Sequence, residues 1–157
     1  MTKNNYHLYF GKAGQLVVMS EFLLRGWNVA IPEVDEGDDI FVVRHETSKL
    51  MRIQVKASNL KIQTSSKVAQ FNISLKQLFD TPKNFHYVFV ARNENSWENL
   101  LIINQLELLD LYKTQSLGSV HKDNLTLRLI YKNGKVTNKT IDLTEYQNNF
   151  EDFIIEI

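Results

Sequence analysis

The fold is decided by residues 38–58, DDIFVVRHETSKLMRIQVKAS, which predict two apolar strands joined by a polar turn. Side chains alternate between the two faces of a strand, so Gln54 and Lys56 share one face while the apolar residues around them share the other. A lysine in an apolar strand is costly unless a negative group meets it. Asp39, at the head of the preceding strand, is the candidate for that partner.

Composition limits the possible architectures. The chain has 157 residues, 43% of them hydrophobic, which suffices for one ordinary core, so we expect a single domain over residues 1–157. The formal net charge is zero, so the chain as a whole has no excess of positive charge that would indicate nucleic-acid binding. The absence of cysteine excludes disulfides, thiolate catalysis and cysteine zinc sites. No stretch approaches the ~18 apolar residues of a membrane span, and we expect a cytoplasmic protein.

The distribution of charge is more informative than its total. Five acids fall within residues 33–39, and residues 47–79 then contain six lysines and arginines but no acid. Carboxylates followed by cations suit a divalent metal with flanking phosphates. The alternative interpretation is an ordinary solvated loop followed by strands whose charges face water.

The order of predicted elements is α/β. Gly26 stands where a helix-terminating glycine is expected, and Asn133-Gly134 is a strong hairpin signal. Ser74 is a plausible N-cap for a short helix that reaches Phe79. The predicted helices are Gly11–Arg25, Ser74–Phe79 and Gln105–Tyr112, and the predicted strands are Trp27–Ile31, Ile40–Arg44, Leu50–Ala57, Val68–Ile73, Phe85–Ala91, Leu100–Ile103, Leu125–Tyr131 and Lys135–Ile141.

These elements predict one α/β domain with a central mixed β-sheet flanked by helices and a C-terminal β-hairpin. A short amphipathic stretch over Tyr146–Phe153 ends the chain. We expect the core to span about residues 11–91 and an extension to span about 92–157.

The order of helix, strand, acidic loop, strand and Gln-x-Lys over Gly11–Ser58 resembles the catalytic core of the PD-(D/E)xK nuclease superfamily. It is similar to archaeal Holliday junction resolvases and to small homing or phage-type endonucleases. Asp38 stands where the family usually has proline. Gln54 occupies the place of the family's second acid, as a recurring variant. The resemblance implies a restriction-endonuclease-like core and a metal-dependent DNA endonuclease.

The resemblance also implies a site that binds Mg²⁺, with Mn²⁺ as a substitute. Asp39 would supply a carboxylate, Gln54 an amide oxygen and Val55 its carbonyl. Lys56 would orient the attacking water and stabilise charge in the transition state. The helix position of the family falls at Gln15, whereas the only carboxylate of the predicted helix is Glu21. Glu21 would complete the catalytic set if the helix packs over the hairpin.

Each assignment has a structural alternative. Asp39 could instead be a simple strand-capping acid. Gln54 could instead be an ordinary polar residue on a half-exposed strand. Lys56 could reach solvent at a sheet edge. Glu21 could be the ion-pair partner of Arg25, one helical turn later. Gln15 fits a supporting or phosphate-contacting role better than that of a ligand. The residues we expect at the nucleic acid are Gln15, Lys12, Lys49, Arg52, Lys61 and Lys67.

Other kinds of site have little support. The four histidines are scattered without metal-binding spacing, and no phosphate-loop or dinucleotide motif occurs, so no nucleotide cofactor is expected. Residues 11–14, Gly-Lys-Ala-Gly, open the predicted helix and could bind an anion there, but they fit close helix packing better. The nuclease resemblance implies DNA as the partner, and cutting both strands would require a homodimer or a higher homo-oligomer. The main rival is a nuclease-fold module that has lost catalysis and binds nucleic acid or a partner protein; an unrelated α/β interaction protein is the third alternative.

Overall fold

The computed structural model describes residues 3–34, 37–80 and 84–154, with the side chains of residues 3 and 4 left undescribed. Asp35 and Glu36 of the predicted acidic loop therefore lie outside the described residues. No helix among the described residues is long and apolar enough to cross a membrane.

In the described part of the chain, the long N-terminal helix packs against one face of a five-stranded sheet. The order of its strands is β1-β2-β3-β6-β7, and every neighbouring pair is antiparallel except β3 and β6, so the sheet is mixed. The elements are α1 (Lys3–Leu24), β1 (Asn28–Ala30), β2 (Ile40–Val43), β3 (Leu50–Asn59), β6 (Phe85–Arg92) and β7 (Leu101–Asn104).

A second, antiparallel sheet is built from the middle and the end of the chain. The order of its described strands is β11-β10-β9-β5-β4, and β8 also pairs with β9. The strands and the two remaining helices are β4 (Lys61–Gln63), β5 (Ser66–Ser74), α2 (Leu75–Asp80), α3 (Gln105–Gln115), β8 (Ser119–His121), β9 (Asn124–Lys132), β10 (Lys135–Asn138) and β11 (Ile141–Asp142).

The predicted fold class is confirmed, but the arrangement of its sheets differs from the expectation. The predicted strand at 68–73 does not join the central sheet, because β5 pairs along its length with β9 of the C-terminal hairpin. The hairpin itself forms around Asn133-Gly134 with both residues at positive φ, as an Asn-Gly turn requires. Its second strand ends at Asn138, and a turn at Lys139 leads to β11. The final amphipathic stretch forms two short 3₁₀ turns, Thr144–Tyr146 and Glu151–Phe153.

Helix α1 starts at Lys3, two turns before the predicted start at Gly11. Aromatic packing extends it, since Tyr6 stacks on Phe10 and Phe10 packs on Trp97 with ring centroids 5.4 Å apart. The predicted end is confirmed: Gly26 has φ +78°, and its N–H donates to the carbonyl of Leu23.

Two apolar clusters hold these layers together. The first lies between α1 and the mixed sheet and includes Phe22, Trp27 and Ile53, all nearly inaccessible. The second lies between the two sheets, where Phe71 of β5 meets Phe89 of β6 edge to face. Burial of this kind stabilises a fold by about 25 cal/mol per Å² of apolar surface. The mixed sheet is thus covered on both faces. Polar residues on β3 therefore lie in a largely apolar environment, where they need hydrogen-bond partners.

Candidate active site

Asp39 is the centre of a hydrogen-bonded cluster at the start of β2. Its backbone N–H donates to the carbonyl of Ile53 at 2.9 Å, which places it opposite Gln54 in the β2–β3 ladder. Its carboxylate oxygen Oδ2 accepts from the backbone N–H of Val55 at 2.7 Å and from the side-chain Nε2 of Gln54. The strand pairing that the sequence predicts therefore brings these three residues together.

The amide of Gln54 occupies a space bounded by oxygen atoms. The side chain is buried, and its Nε2 faces the Asp39 carboxylate and lies 3.5 Å from the carbonyl of Val55. Rotating the amide by 180° would present its oxygen to the same region, and Gln77, whose Nε2 donates to that oxygen here, would have to turn its own amide as well. One carboxylate, one amide oxygen and one backbone carbonyl then converge, and these are oxygen ligands of the kind that Mg²⁺ accepts.

Gln77 is a member of this cluster that the sequence interpretation missed. Its side-chain Nε2 donates to the Oε1 of Gln54 at 2.9 Å and to the carbonyl of Gly37 at 2.6 Å. It thereby orients the Gln54 amide and holds Gly37 in place. A partial signal exists in the sequence, since Ser74 and Gln77 have the spacing of a capping box, and the Ser74 hydroxyl does accept from the Gln77 N–H. That spacing predicts a helix start and says nothing about Gln54.

Helix α1 contributes Gln15 and Lys12. The buried Gln15 donates from Nε2 to the backbone carbonyl of Asp39 at 2.5 Å, and it accepts from the Nζ of Lys12 at 2.7 Å. Gly14 permits this approach, because a Cβ at that position would lie 2.7 Å from the Cβ of Ala57. The helix thus delivers an amide and an ammonium group to the Asp39 cluster.

Lys56 lies two residues beyond Gln54 on β3 and is half-buried. It pairs in register with Phe89 of β6, and alternation along β3 gives it the same sheet face as Gln54. Because Asp39 stands opposite Gln54, the same face also carries the Asp39 side chain.

Glu21 lies apart from this cluster. Its Oε2 accepts from the guanidinium of Arg25 at 2.7 Å, and that guanidinium stacks over the ring of Phe150. Glu21 is six residues beyond Gln15, which corresponds to ~9 Å along the helix axis. The helix side chain that the structure brings to Asp39 is Gln15.

Two of the basic residues expected at the nucleic acid are engaged by acids. Arg52 contacts the buried Asp38 with both Nε and a terminal nitrogen, the latter at 2.5 Å. Lys67 donates to the Oε1 of Glu98 at 2.6 Å. In these contacts the cations neutralise neighbouring carboxylates, and the charge of Asp38 is matched by Arg52.

Besides Lys12, which contacts Gln15, two further basic residues of this set have other surroundings. Lys49 immediately precedes β3 and donates to the backbone carbonyl of Asp152 at 2.7 Å. Lys61 is exposed on β4, immediately after the strand that carries Lys56.

The donor set fits a weak Mg²⁺ site rather than a strong one. Among the described residues no group of three or more histidines and carboxylates could hold a metal ion. Asp39 supplies one carboxylate, and Mg²⁺ in phosphoryl-transfer sites is held by one or two carboxylates together with substrate phosphates and water. The residues present therefore fit a cation that is bound jointly by the protein and a phosphate.

Comparisons with known proteins agree with this class of fold. No protein-family model matches the sequence, and no curated protein sequence matches it. Among solved structures, the chain is similar to a bacterial homing endonuclease, I-Ssp6803I, with a TM-score of 0.56 over 91% of this chain and 88% of that chain. The sequence identity is 16%, so the likeness shows the fold alone.

Proposed function

We propose that this protein is a Mg²⁺-dependent DNA endonuclease. The observation that carries the proposal is the convergence of the Asp39 carboxylate, the Gln54 amide and the Val55 carbonyl, with Lys56 on the same sheet face. The structural neighbour is a homing endonuclease, which supports DNA as the substrate.

A bound Mg²⁺ would polarise the scissile phosphate and acidify an attacking water. Asp39 would carry the charge that holds the ion, with the amide oxygen of Gln54 and the carbonyl of Val55 as neutral ligands. Lys56 would orient the water and stabilise developing negative charge. Lys12, held against Gln15, is placed to contact a flanking phosphate. Glu21 would have to leave Arg25 to become a ligand, so we assign it to the ion pair.

Cleavage assays on purified variants test the proposal. Asp39→Asn and Lys56→Ala should each lose Mg²⁺-dependent nicking of supercoiled DNA, because the first removes the carboxylate that would hold the ion and the second removes a group that would stabilise the transition state. Losing one preorganised electrostatic group typically costs ~10²–10³-fold in rate. Lys113→Ala, which removes an exposed lysine from α3, is the charge-matched control and should cleave like the wild type. Equal cleavage by all four proteins would contradict the assignment.

A second test reads metal binding without any turnover. Gln54→Glu places a second carboxylate against Asp39, so without metal it should lower the melting temperature through like-charge repulsion. Adding Mn²⁺ should then raise the melting temperature more than it does for the wild type, because ligand binding to the native state stabilises it in proportion to the logarithm of concentration over Kd. Gln54→Ala, which adds no charge, is the control. No difference in the Mn²⁺ response between the two variants would place the ion elsewhere.

The alternative function is a non-catalytic DNA-binding module. It is favoured by one specific observation: Asp38 is matched by Arg52, which leaves Asp39 as the one carboxylate that the described residues bring to Gln54. Duplex binding by the wild type without cleavage in Mg²⁺ or Mn²⁺ would establish this alternative. If cleavage occurs, each chain carries one centre, and double-strand cutting would need two copies.

A further inference from the structure

The outward face of the second sheet is rich in polar side chains that can read base edges. Burial alternates along β9 and over Ala69–Ile73 of β5, so the inward residues of these stretches enter the core while the outward ones meet solvent. Gln70 and Asn72 are exposed on β5, and Arg128, the register partner of Gln70, is exposed beside them on β9. Gln63 of β4 extends the same row toward the sheet edge.

The charge of this face is of one sign. The strands β4, β5, β9 and β10 together contain no aspartate or glutamate. Their exposed cations are Lys61, Arg128, Lys132 and Lys135. Acidic residues occur beside them at Asp123, before β9, and on the far edge strand β11. A face of this kind is complementary to a polyanion, although the whole chain has no net charge.

The face is preorganised by contacts behind and across it. The buried Asn138 donates from Nδ2 to the backbone carbonyl of Arg128 at 3.0 Å and accepts from the N–H of Gly118, which fixes β9 at Arg128. Across the face, the Thr126 hydroxyl donates to the Oδ1 of Asn72 at 2.8 Å and orients that amide.

The face also adjoins the candidate active site. Strand β3, which carries Lys56, ends at Asn59, and β4 starts two residues later. Ser58, two residues beyond Lys56, accepts at its hydroxyl from the backbone N–H of Gln70 at 3.3 Å. A groove lined by Ser58, Gln70, Asn72 and Arg128 runs along this junction. A strand rises ~3.4 Å per residue, so Gln70 and Asn72 are spaced by about two base-pair steps.

We propose that the β4–β5–β9 face is a major-groove reading surface for duplex DNA, with Gln70, Asn72 and Arg128 as base-contacting residues and Lys61 as a phosphate contact. Arginine pairs with guanine, and glutamine or asparagine with adenine, through two hydrogen bonds each in the major groove, which admits β-strands. The inference rests on DNA as the substrate in the proposed function, but not on cleavage.

Binding measured without divalent metal tests the face separately from catalysis. The wild type, in EDTA, selects ligands from a DNA duplex pool with a randomised centre, and we expect it to enrich a short motif. Arg128→Ala and Gln70→Ala should each lose preference at one or two adjacent positions of that motif, by roughly 5- to 150-fold in discrimination. Lys61→Ala should keep the motif, bind every sequence more weakly and lower the slope of log affinity against log salt by about 0.9. All three side chains are exposed, and matching melting temperatures confirm that each variant folds.

Lys113→Ala on α3 removes an exposed charge away from these strands and should select and bind as the wild type does. The proposal is overturned if the wild type enriches no motif, if Arg128→Ala and Gln70→Ala select the wild-type motif with the affinity of Lys113→Ala, or if duplex RNA competes as well as duplex DNA. The last result would exclude major-groove reading, because the A-form major groove is too narrow for side chains. If the wild type enriches a motif but does not cleave DNA in Mg²⁺, the proposed function is contradicted and the reading surface is still supported.

Discussion

The close approach of helix α1 to strand β3 gives a sharp prediction, because two glycines of the same helix differ in what surrounds them. A Cβ at Gly14 would lie 2.7 Å from the Cβ of Ala57 and 3.1 Å from the Cγ1 of Val90. A Cβ at Gly11 would meet nothing within 4 Å. Carbon atoms prefer separations of about 3.5–4.0 Å, so Gly14→Ala forces the helix and β3 apart by several tenths of an ångström or more.

The pair of variants separates packing from helix propensity. Both substitutions gain ~0.8–1.0 kcal/mol in propensity, since both positions lie inside α1. Gly11→Ala should therefore stabilise the protein by up to about that amount. Gly14→Ala also carries an overpacking cost of ~1–3 kcal/mol, so it should be less stable than Gly11→Ala by about that cost.

Urea unfolding of the wild type and both variants measures the difference directly. Under the proposed function, Gly14→Ala should also reduce the rate of DNA cleavage, because a shift of α1 moves Gln15 away from the carbonyl of Asp39. Gly11→Ala should leave that rate unchanged. Equal free energies of unfolding for the two variants would contradict the prediction, since the contact of Gly14 with Ala57 would then impose no constraint.

Three further predictions concern stability. Burial lowers the pKa of His86 below its usual range, against the opposing effect of the hydrogen-bonded Asp152 carboxylate, so the unfolded chain binds a proton at His86 more readily than the folded protein does. The free energy of unfolding should therefore fall as the pH drops from 7.5 through 6.5, and urea titrations should show a smaller fall for His86→Gln. Asp38→Asn should cost about 1–2 kcal/mol, because Arg52 keeps part of its solvation, and in a double-mutant cycle with Arg52→Gln the losses should not add. Asn104→Ala should cost about 1 kcal/mol in thermal unfolding, since its side chain accepts the Glu107 N–H at the N-cap of α3, whereas Asn104→Ser should retain most of the stability.

The part of the candidate site that depends on short-range sequence features was predictable. The alternation of Gln54 and Lys56, the hairpin signal between β2 and β3, and Asp39 at the strand head are all short-range features of the sequence. Strand pairing converts them into contacts, because antiparallel register sets which residue faces which. The end of α1 was predictable for the same reason, since a glycine at positive φ is a local requirement.

The missed features depend on contacts between residues distant in the sequence. Gln77 reaches Gln54 and Gly37 only because β5, a strand of the second sheet, leads directly into α2. The pairing of β5 with β9 creates the second sheet, and no local pattern in either strand specifies that partner. Charge patterning likewise left the partners of Arg52 and Lys67 open, because the carboxylates that meet them are fixed by tertiary structure.

The glutamine at position 54 has a physical rationale in these contacts. The site is buried, so a carboxylate there would lie at hydrogen-bond distance from the Asp39 carboxylate, and two such charges cannot both ionise cheaply. An amide removes that repulsion and donates to Asp39, while Gln77 satisfies its oxygen. Glutamine in place of a carboxylate also removes one negative charge from the set of metal ligands, which weakens any metal site built by the protein alone. A cation held by Asp39 would then need a further anionic ligand, which a DNA phosphate would supply under the proposed function. The arrangement thus favours a centre that is stable without metal and is completed by metal and DNA together.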